Sequence, residues 1–280
     1  MTRKTRTEPT FLSASLNNDR LADLNVLATL LHIGTILSEW GDKIMTTTFF
    51  VALGLIFLFD TVLGGVLGWM ARSPKYAGYR IHTGRNPIGD RKRTLSILLN
   101  YSLPQIMYGG FLYFLGNTIL YTGVPKVTSL LGETLGVILL YDFMYYFFHR
   151  ALHVPALMRA IHGVHHRIRY ATAEASTYLH PAEGIGGTAL FLLAIVILGP
   201  VSNTAFLIDF FLFSAINIYV HSNLSFPHPV FRLFNFWTRT HDVHHYYCRN
   251  NYSSIFPFWD QMFGTAEDQK VPVKAAKAAA

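Results

Sequence analysis

The sequence predicts an all-α integral membrane protein, and three observations carry that reading. Only 14% of its 280 residues are charged, against about a quarter in an average soluble domain. Several apolar stretches are each about 20 residues long, enough for a helix to cross a bilayer core of about 30 Å. Ten of the thirteen histidines gather in or after those stretches rather than spreading along the chain.

Taken in order, residues 1–47 form a polar N-terminal segment without the short apolar run of a secretory signal. Within it, residues 22–40 are moderately apolar but contain Asp23, His32 and Glu39, a pattern expected of an amphipathic surface helix. Residues 48–70, TFFVALGLIFLFDTVLGGVLGWM, suit a first span. Residues 94–120 suit a second, with Pro104 and Gly109-Gly110 as points of kinking or splitting. A third runs over 127–148 and ends in VILLYDFMYYFF. The apolar stretch 184–220 is too long for one span and is broken by Gly199-Pro200, which predicts a hairpin of two helices or a re-entrant pair. Residues 48–266 are expected to be the working domain and 267–280 a flexible tail.

Charge sets the expected orientation. Arg72, Lys75, Arg80, Arg85, Arg91, Lys92 and Arg93 crowd the loop between the first two spans, which should therefore face the cytoplasm. Counting crossings from there places every histidine cluster on that same side. The net charge of +7 is explained by these membrane-flanking residues, so nucleic acid is not expected as a partner. With Cys248 as the single cysteine, neither an intrachain disulfide nor a Cys-based zinc site can form.

The histidines form boxes. His149 and His153 stand at i, i+4 at the end of the third span and share a helix face. His162, His165 and His166 repeat that logic at i, i+3, i+4 on what should be a second helix, with Pro155 at the corner. His180 in LHPAE and His221 in YVHSNLSFP follow, and His241, His244 and His245 make a second His-x-x-His-His box. Ten imidazoles exceed the capacity of one ion and suit two, each with an open position. Imidazole suits iron, zinc, copper or nickel. An open redox site at the bilayer edge favours an iron pair, which can bind dioxygen, accept two electrons and oxidise an unactivated C–H bond. His32, His82 and His228 fall outside the boxes and read as ordinary residues. A zinc hydrolase would call for His-Glu-x-x-His, which the chain lacks. A transporter or metal store would place histidines along the spans.

Over roughly residues 95–266 these motifs resemble the fatty acid hydroxylase/sterol desaturase superfamily of membrane di-iron oxygenases. Asp142 ahead of HRALH, the LHPAE and VHSNLSFP boxes, and HDVHHYYCRNNYSSIFPFWDQMFGT carry the likeness. The resemblance implies about four transmembrane helices under a cytosolic helical cap. It implies His149, His153, His162, His165, His166, His180, His221, His241, His244 and His245 as ligands of two Fe ions, with Asn223 as an alternate. Asp142, Glu183, Asp242 and Asp260 are candidates to accept the other ring N–H of those histidines. The implied reaction is O2-dependent hydroxylation or desaturation of a membrane lipid, with sterol, fatty acyl chain, sphingolipid, carotenoid and alkane all fitting the pattern. Electrons would come from a cytochrome b5-like carrier or a ferredoxin with its reductase, because the chain has no flavin or nicotinamide fingerprint. A pterin-dependent ether-lipid monooxygenase is the alternative enzyme.

Overall fold

A computed structural model describes residues 47–84, 86, 89–123 and 125–267. The expected surface helix at 22–40 and the tail beyond residue 267 lie outside them. Almost everything described below belongs to one compact unit that begins at Phe49.

That unit is helical. Its long helices are α1 (Thr47–Arg72), α2 (Asp90–Ile119), α3 (Val127–Leu152), α5 (Pro181–Leu198), α6 (Asn203–Val220) and α7 (Arg232–Tyr247), with short α4 (Pro155–Ala160) and α8 (Phe258–Met262). Four of these, α1, α3, α5 and α6, are long and apolar enough to cross a membrane. The expected hairpin is present, and its two arms meet at Gly199-Pro200. The 94–120 stretch departs from expectation. It is one unbroken 30-residue helix through Pro104, yet α2 is not among the four apolar spans. Its first turn is DRKR, and Asn100, Gln105 and Asn117 dilute its apolar residues. It still shows an apolar outer face, with Leu98, Ile106 and Phe114 exposed.

The bundle packs around α5. Phe191 is fully buried and meets the rings of Tyr108, Tyr141, Phe206, Phe210 and Phe213 at centroid distances of 5.1–6.5 Å. Each such aromatic pair adds about 0.5–1.5 kcal/mol beyond its buried area. Small residues bring α5 close to its neighbours. A methyl group at Gly186 would sit 2.5 Å from the Phe148 ring of α3, and one at Gly184 would sit 2.7 Å from Asn100 Oδ1 of α2.

The two ends of the bundle differ. At one end, strands β1 (Leu120–Tyr121) and β2 (Val201–Ser202) pair in parallel. Glu133 clasps them: Oε1 accepts from Tyr121 Oη, and Oε2 accepts from the Ser202 N–H at 2.9 Å and Ser202 Oγ at 2.7 Å. Ser202 Oγ also caps α6 by accepting from the Ala205 N–H. At the other end the connections 73–89, 153–180 and 221–267 pack on one another. Asn86 donates to the Tyr170 carbonyl, Arg72 pairs with Glu174, and the His82 backbone is bracketed by the Asn223 side chain. All the boxed histidines lie at this second end.

The clasp yields a prediction. Ser202→Ala removes a helix cap and a hydrogen bond to Glu133, and should lower stability by about 1–2 kcal/mol. Glu133→Ala should lose a similar amount, and the double variant should lose less than the sum because both act on one cluster. Thermal unfolding in detergent micelles measures this; full additivity would contradict the clasp.

Candidate metal centre

Four segments deliver the imidazoles. His149 occupies the last turn of α3 and His153 is its C-cap. The chain then turns at Pro155 into α4, and His162–Arg167 form a 3₁₀ turn rather than the expected α-helix. That turn needs Gly163, where a side-chain methyl would meet the Met158 carbonyl oxygen at 2.5 Å. His221 caps the end of α6, and α7 carries His241, His244 and His245.

Nine of the ten expected histidines converge, in two groups. His149, His153, His162, His166 and His244 form one, and His165, His221, His241 and His245 the other; within each, one nitrogen from every ring lies within 4.8 Å of the rest. The expectation that His162, His165 and His166 share one face is therefore not met. In each His-x-x-His-His box the i, i+4 pair enters one group and the middle histidine enters the other. His180 joins neither. It is the N-cap of α5, where Nδ1 accepts from the Ala182 N–H at 3.2 Å.

Backbone carbonyls fix the tautomers. Just after α7, Cys248, Asn250 and Asn251 all take left-handed backbone conformations, with φ of 54°, 62° and 51°. Asparagine tolerates that region better than most side chains. The resulting coil aims three carbonyls at the first group: Cys248 at His153 Nδ1 (3.1 Å), Asn250 at His244 Nδ1 (2.6 Å) and Tyr252 at His149 Nδ1 (2.8 Å). In the second group, the carbonyls of Tyr178, Ile168 and Asn217 face Nδ1 of His165 (3.1 Å), His245 (2.7 Å) and His221 (2.7 Å). A carbonyl only accepts, so each of these Nδ1 atoms carries the proton and each Nε2 presents a lone pair. His162 Nδ1 lies 2.9 Å from Glu183 Oε1.

The Nε2 atoms converge, and those of His221 and His245, both fixed as acceptors, stand 3.3 Å apart. His162 Nε2 is 3.1 Å from that of His149 and 3.0 Å from that of His166. His241 Nε2 is 2.9 Å from His221 and 3.1 Å from His245, and His221 is 3.4 Å from His165. His153 Nε2 and His244 Nε2 are buried with no hydrogen-bond partner. Buried acceptors facing acceptors are unfavourable unless a cation lies between them. Nitrogens about 2.1 Å from one ion stand about 3.0–3.4 Å apart at right or tetrahedral angles, so the spacing fits a metal in each group.

Burial keeps the imidazoles in the neutral form that binds metal. It holds His153 and His165 down to about 4 and His221 to about 3. Burial, reinforced by neighbouring imidazoles, also holds His162, His166, His241, His244 and His245 below the ordinary histidine value. A small cavity reaches both groups, lined by His149, His165, His221 and His241 with Tyr145, Leu179 and Val220.

The acidic candidates act at different depths. Glu183 faces an imidazole directly. Asp142 and Asp260 instead hold backbone: Asp142 accepts from the N–H groups of Ser254, Ile255 and Phe256 at 2.7–3.1 Å, and Asp260 from those of Tyr252 and Ser253 and from Thr265 Oγ1 at 2.7–2.9 Å. They thereby position the Tyr252 carbonyl that meets His149. Asp242, fully buried, lies 3.1 Å from His82 Nε2. The Asn223 side chain brackets the His82 backbone. His82, read from sequence as ordinary, is thus buried and paired with Asp242, the residue after His241. The coil of carbonyls was also missed; its signal is the Cys-Arg-Asn-Asn run, whose two asparagines favour left-handed backbone.

Known proteins match this region. The fatty acid hydroxylase family model matches residues 134–265. Very-long-chain aldehyde decarbonylase GL1-11 of Oryza sativa subsp. indica is 31% identical over 156 residues, covering 52% of this chain and 57% of that protein. Methylsterol monooxygenase 1 of Rattus norvegicus is 32% identical over 145 residues, covering 51% and 49% respectively, and that of Gallus gallus 32% over 146 residues, covering 51% and 48%. The chain spans about half the length of the curated relatives it matches. No solved structure matches it.

Two predictions follow from the geometry. Gly163→Ala should weaken metal retention in both groups, on the order of tenfold, measured as metal per purified chain against a chelator series; unchanged retention would contradict the turn's role. Acidification should destabilise the metal-free protein. His153 and His165 stay unprotonated down to about pH 4, whereas an unfolded histidine takes up a proton below about 6.5. The unfolded state then binds more protons, so stability is full above about pH 6.5 and falls as pH drops towards 4. A thermal midpoint that is flat or rises over that interval would refute this.

Proposed function

Because this chain belongs to the fatty acid hydroxylase/sterol desaturase superfamily, we propose that it is an O2-dependent di-iron oxidoreductase. It hydroxylates or desaturates a C–H bond of a membrane lipid of sterol or fatty acyl type. The observation that carries this reading is the pair of imidazole groups with converging Nε2 atoms, in which the lone pairs of His221 and His165 and of His245 and His221 face one another at 3.4 and 3.3 Å. Five nitrogens would hold one ion and four the other, leaving coordination positions open.

Bound iron would supply the reduction of dioxygen and the oxidation of carbon. The chain's own residues supply everything else. Backbone carbonyls and Glu183 hold the imidazoles in one tautomer and orientation. Asp142 and Asp260 keep the 252–256 segment in register with α3. The small cavity gives access to both groups while Leu179, Val220 and the Tyr145 ring limit water. The apolar outer faces of the spans let a lipid approach from within the bilayer.

In this reading residues 48–266 are the oxidising unit, preceded by 1–47 and followed by the 267–280 tail, and the histidine-bearing end faces the cytoplasm, as its basic connections imply. Turnover of a saturated carbon with O2 needs two further electrons. A cytochrome b5-like protein or a ferredoxin with its reductase would deliver them, docking on basic residues such as Arg91, Lys92 and Arg93.

The test is lipid analysis of a host with and without the chain, scored for gain of one oxygen atom or loss of two hydrogens. His153→Ala and His162→Ala should abolish both the product and bound iron, whereas His180→Ala, outside both groups, should retain iron. Purified protein that neither holds iron nor consumes O2 with lipid and a reductase would overturn the proposal.

A further inference from the structure

A second cleft lies beside α7, and none of the grouped imidazoles lines it. A cleft of about 1050 Å³ opens between the connection after α1 and the outer face of α7, lined by Tyr79, Arg80, Ser225, His228, Arg232 and Arg239 among others. That is the size of a pocket for a substantial ligand. Its frame is pinned. The Ser225 N–H donates to the Tyr79 carbonyl and the Ile81 N–H to the Asn223 carbonyl. The Asn235 side chain brackets the Phe226 backbone, accepting from its N–H at 2.8 Å and donating to its carbonyl at 2.6 Å.

The charge in the cleft is basic and largely unanswered. Arg80 donates to the Ser73 carbonyl and Arg239 to Ser225 Oγ, both neutral acceptors, and Arg80 Nε is buried without a partner. None of the three arginines forms an ion pair among the described residues. Two acids also line the cleft. Asp242 faces His82, and Glu267 Oε2 accepts from Asn250 Nδ2 at 3.3 Å.

Position identifies the class of ligand. An aromatic ladder, Trp69–Tyr76–Tyr79–Phe226–Phe231, runs from the end of the first span to the cleft at centroid distances of 4.9–6.2 Å. Tryptophan and tyrosine concentrate at the height of lipid headgroups. Around the arginines, Val230, Leu233 and Phe236 are 66%, 55% and 39% exposed. Exposed apolar side chains beside and between the arginines of α7 suit a surface buried among headgroups, with its apolar groups towards the acyl region. A water-borne phosphate would gain nothing from that apolar rim.

We propose that this cleft binds the phosphate headgroup of an anionic glycerophospholipid, with Arg80, Arg232 and Arg239 as donors and Val230, Leu233 and Phe236 against its chains. The lipid held here is a bound companion and not the molecule oxidised, because the cleft lies outside the imidazole groups.

Native mass spectrometry of the full chain, released from nanodiscs of phosphatidylglycerol mixed with phosphatidylcholine, tests this without any variant. The wild type should retain phosphatidylglycerol preferentially, and millimolar inorganic phosphate should not displace it. R232Q/R239Q should reduce that retention roughly tenfold, with metal content unchanged as the sign of an intact fold. R232K/R239K should keep most of it. No preference in the wild type, or equal retention in R232Q/R239Q, overturns the proposal. Displacement by inorganic phosphate overturns the lipid assignment. So does a variant that retains the lipid but accepts electrons more slowly from an acidic carrier, which would make the cleft a protein dock.

Discussion

Buried nitrogen lone pairs that face one another are the constraint on which this structure turns. Seven of the nine imidazoles are buried and two, His153 and His241, are half-buried, and in six of the nine a backbone carbonyl holds the proton on Nδ1. The opposite nitrogen is left as an acceptor among acceptors. Such an arrangement repels itself unless a cation enters, so metal binding, as proposed, would be linked to folding. The rest of the unit can be understood as the scaffold that holds the repulsion in place. The aromatic core around Phe191 and the clasp at Glu133 fix the span directions, and those directions bring four distant segments to one end.

Support for the site is layered. The imidazoles are held by carbonyls, the carbonyls belong to coils with unusual backbone angles, and the coils are held by buried carboxylates. Asp142 shows the logic. It stands seven residues before His149, about two helical turns away, yet it reaches no imidazole. It holds three successive N–H groups of the 254–256 strand of coil, and so positions Tyr252 a few residues upstream. A change at Asp142 would thus be felt at His149 through main chain.

Much of this was legible in the sequence. The i, i+4 pairs 149/153, 162/166 and 241/245 do enter common groups, because one helical turn, or a turn of similar reach, puts them side by side. The hairpin was legible from Gly199-Pro200. Other features needed tertiary information or closer reading. Adjacent histidines such as His244 and His245 point about 100° apart on a helix, so they cannot serve one ion; the split of each box between two groups was implicit there. His180 precedes Pro181 with Glu183 in the first turn, which is the signature of a helix start, and the helix start is where it stands. His82 gave no local signal at all, because its partner Asp242 is far away in sequence. The polar dilution of α2 was visible in its composition but was outweighed by its length.

The division of each His-x-x-His-His box has a consequence for assembly. The two groups share the 162–167 turn and α7, and differ only in the third segment, α3 for one and the end of α6 for the other. A cation seated in either group therefore immobilises two of the three segments its neighbour requires. The conformational entropy of ordering them is lost once for both ions. If both groups take a cation, as proposed, filling of the second would be easier than filling of the first.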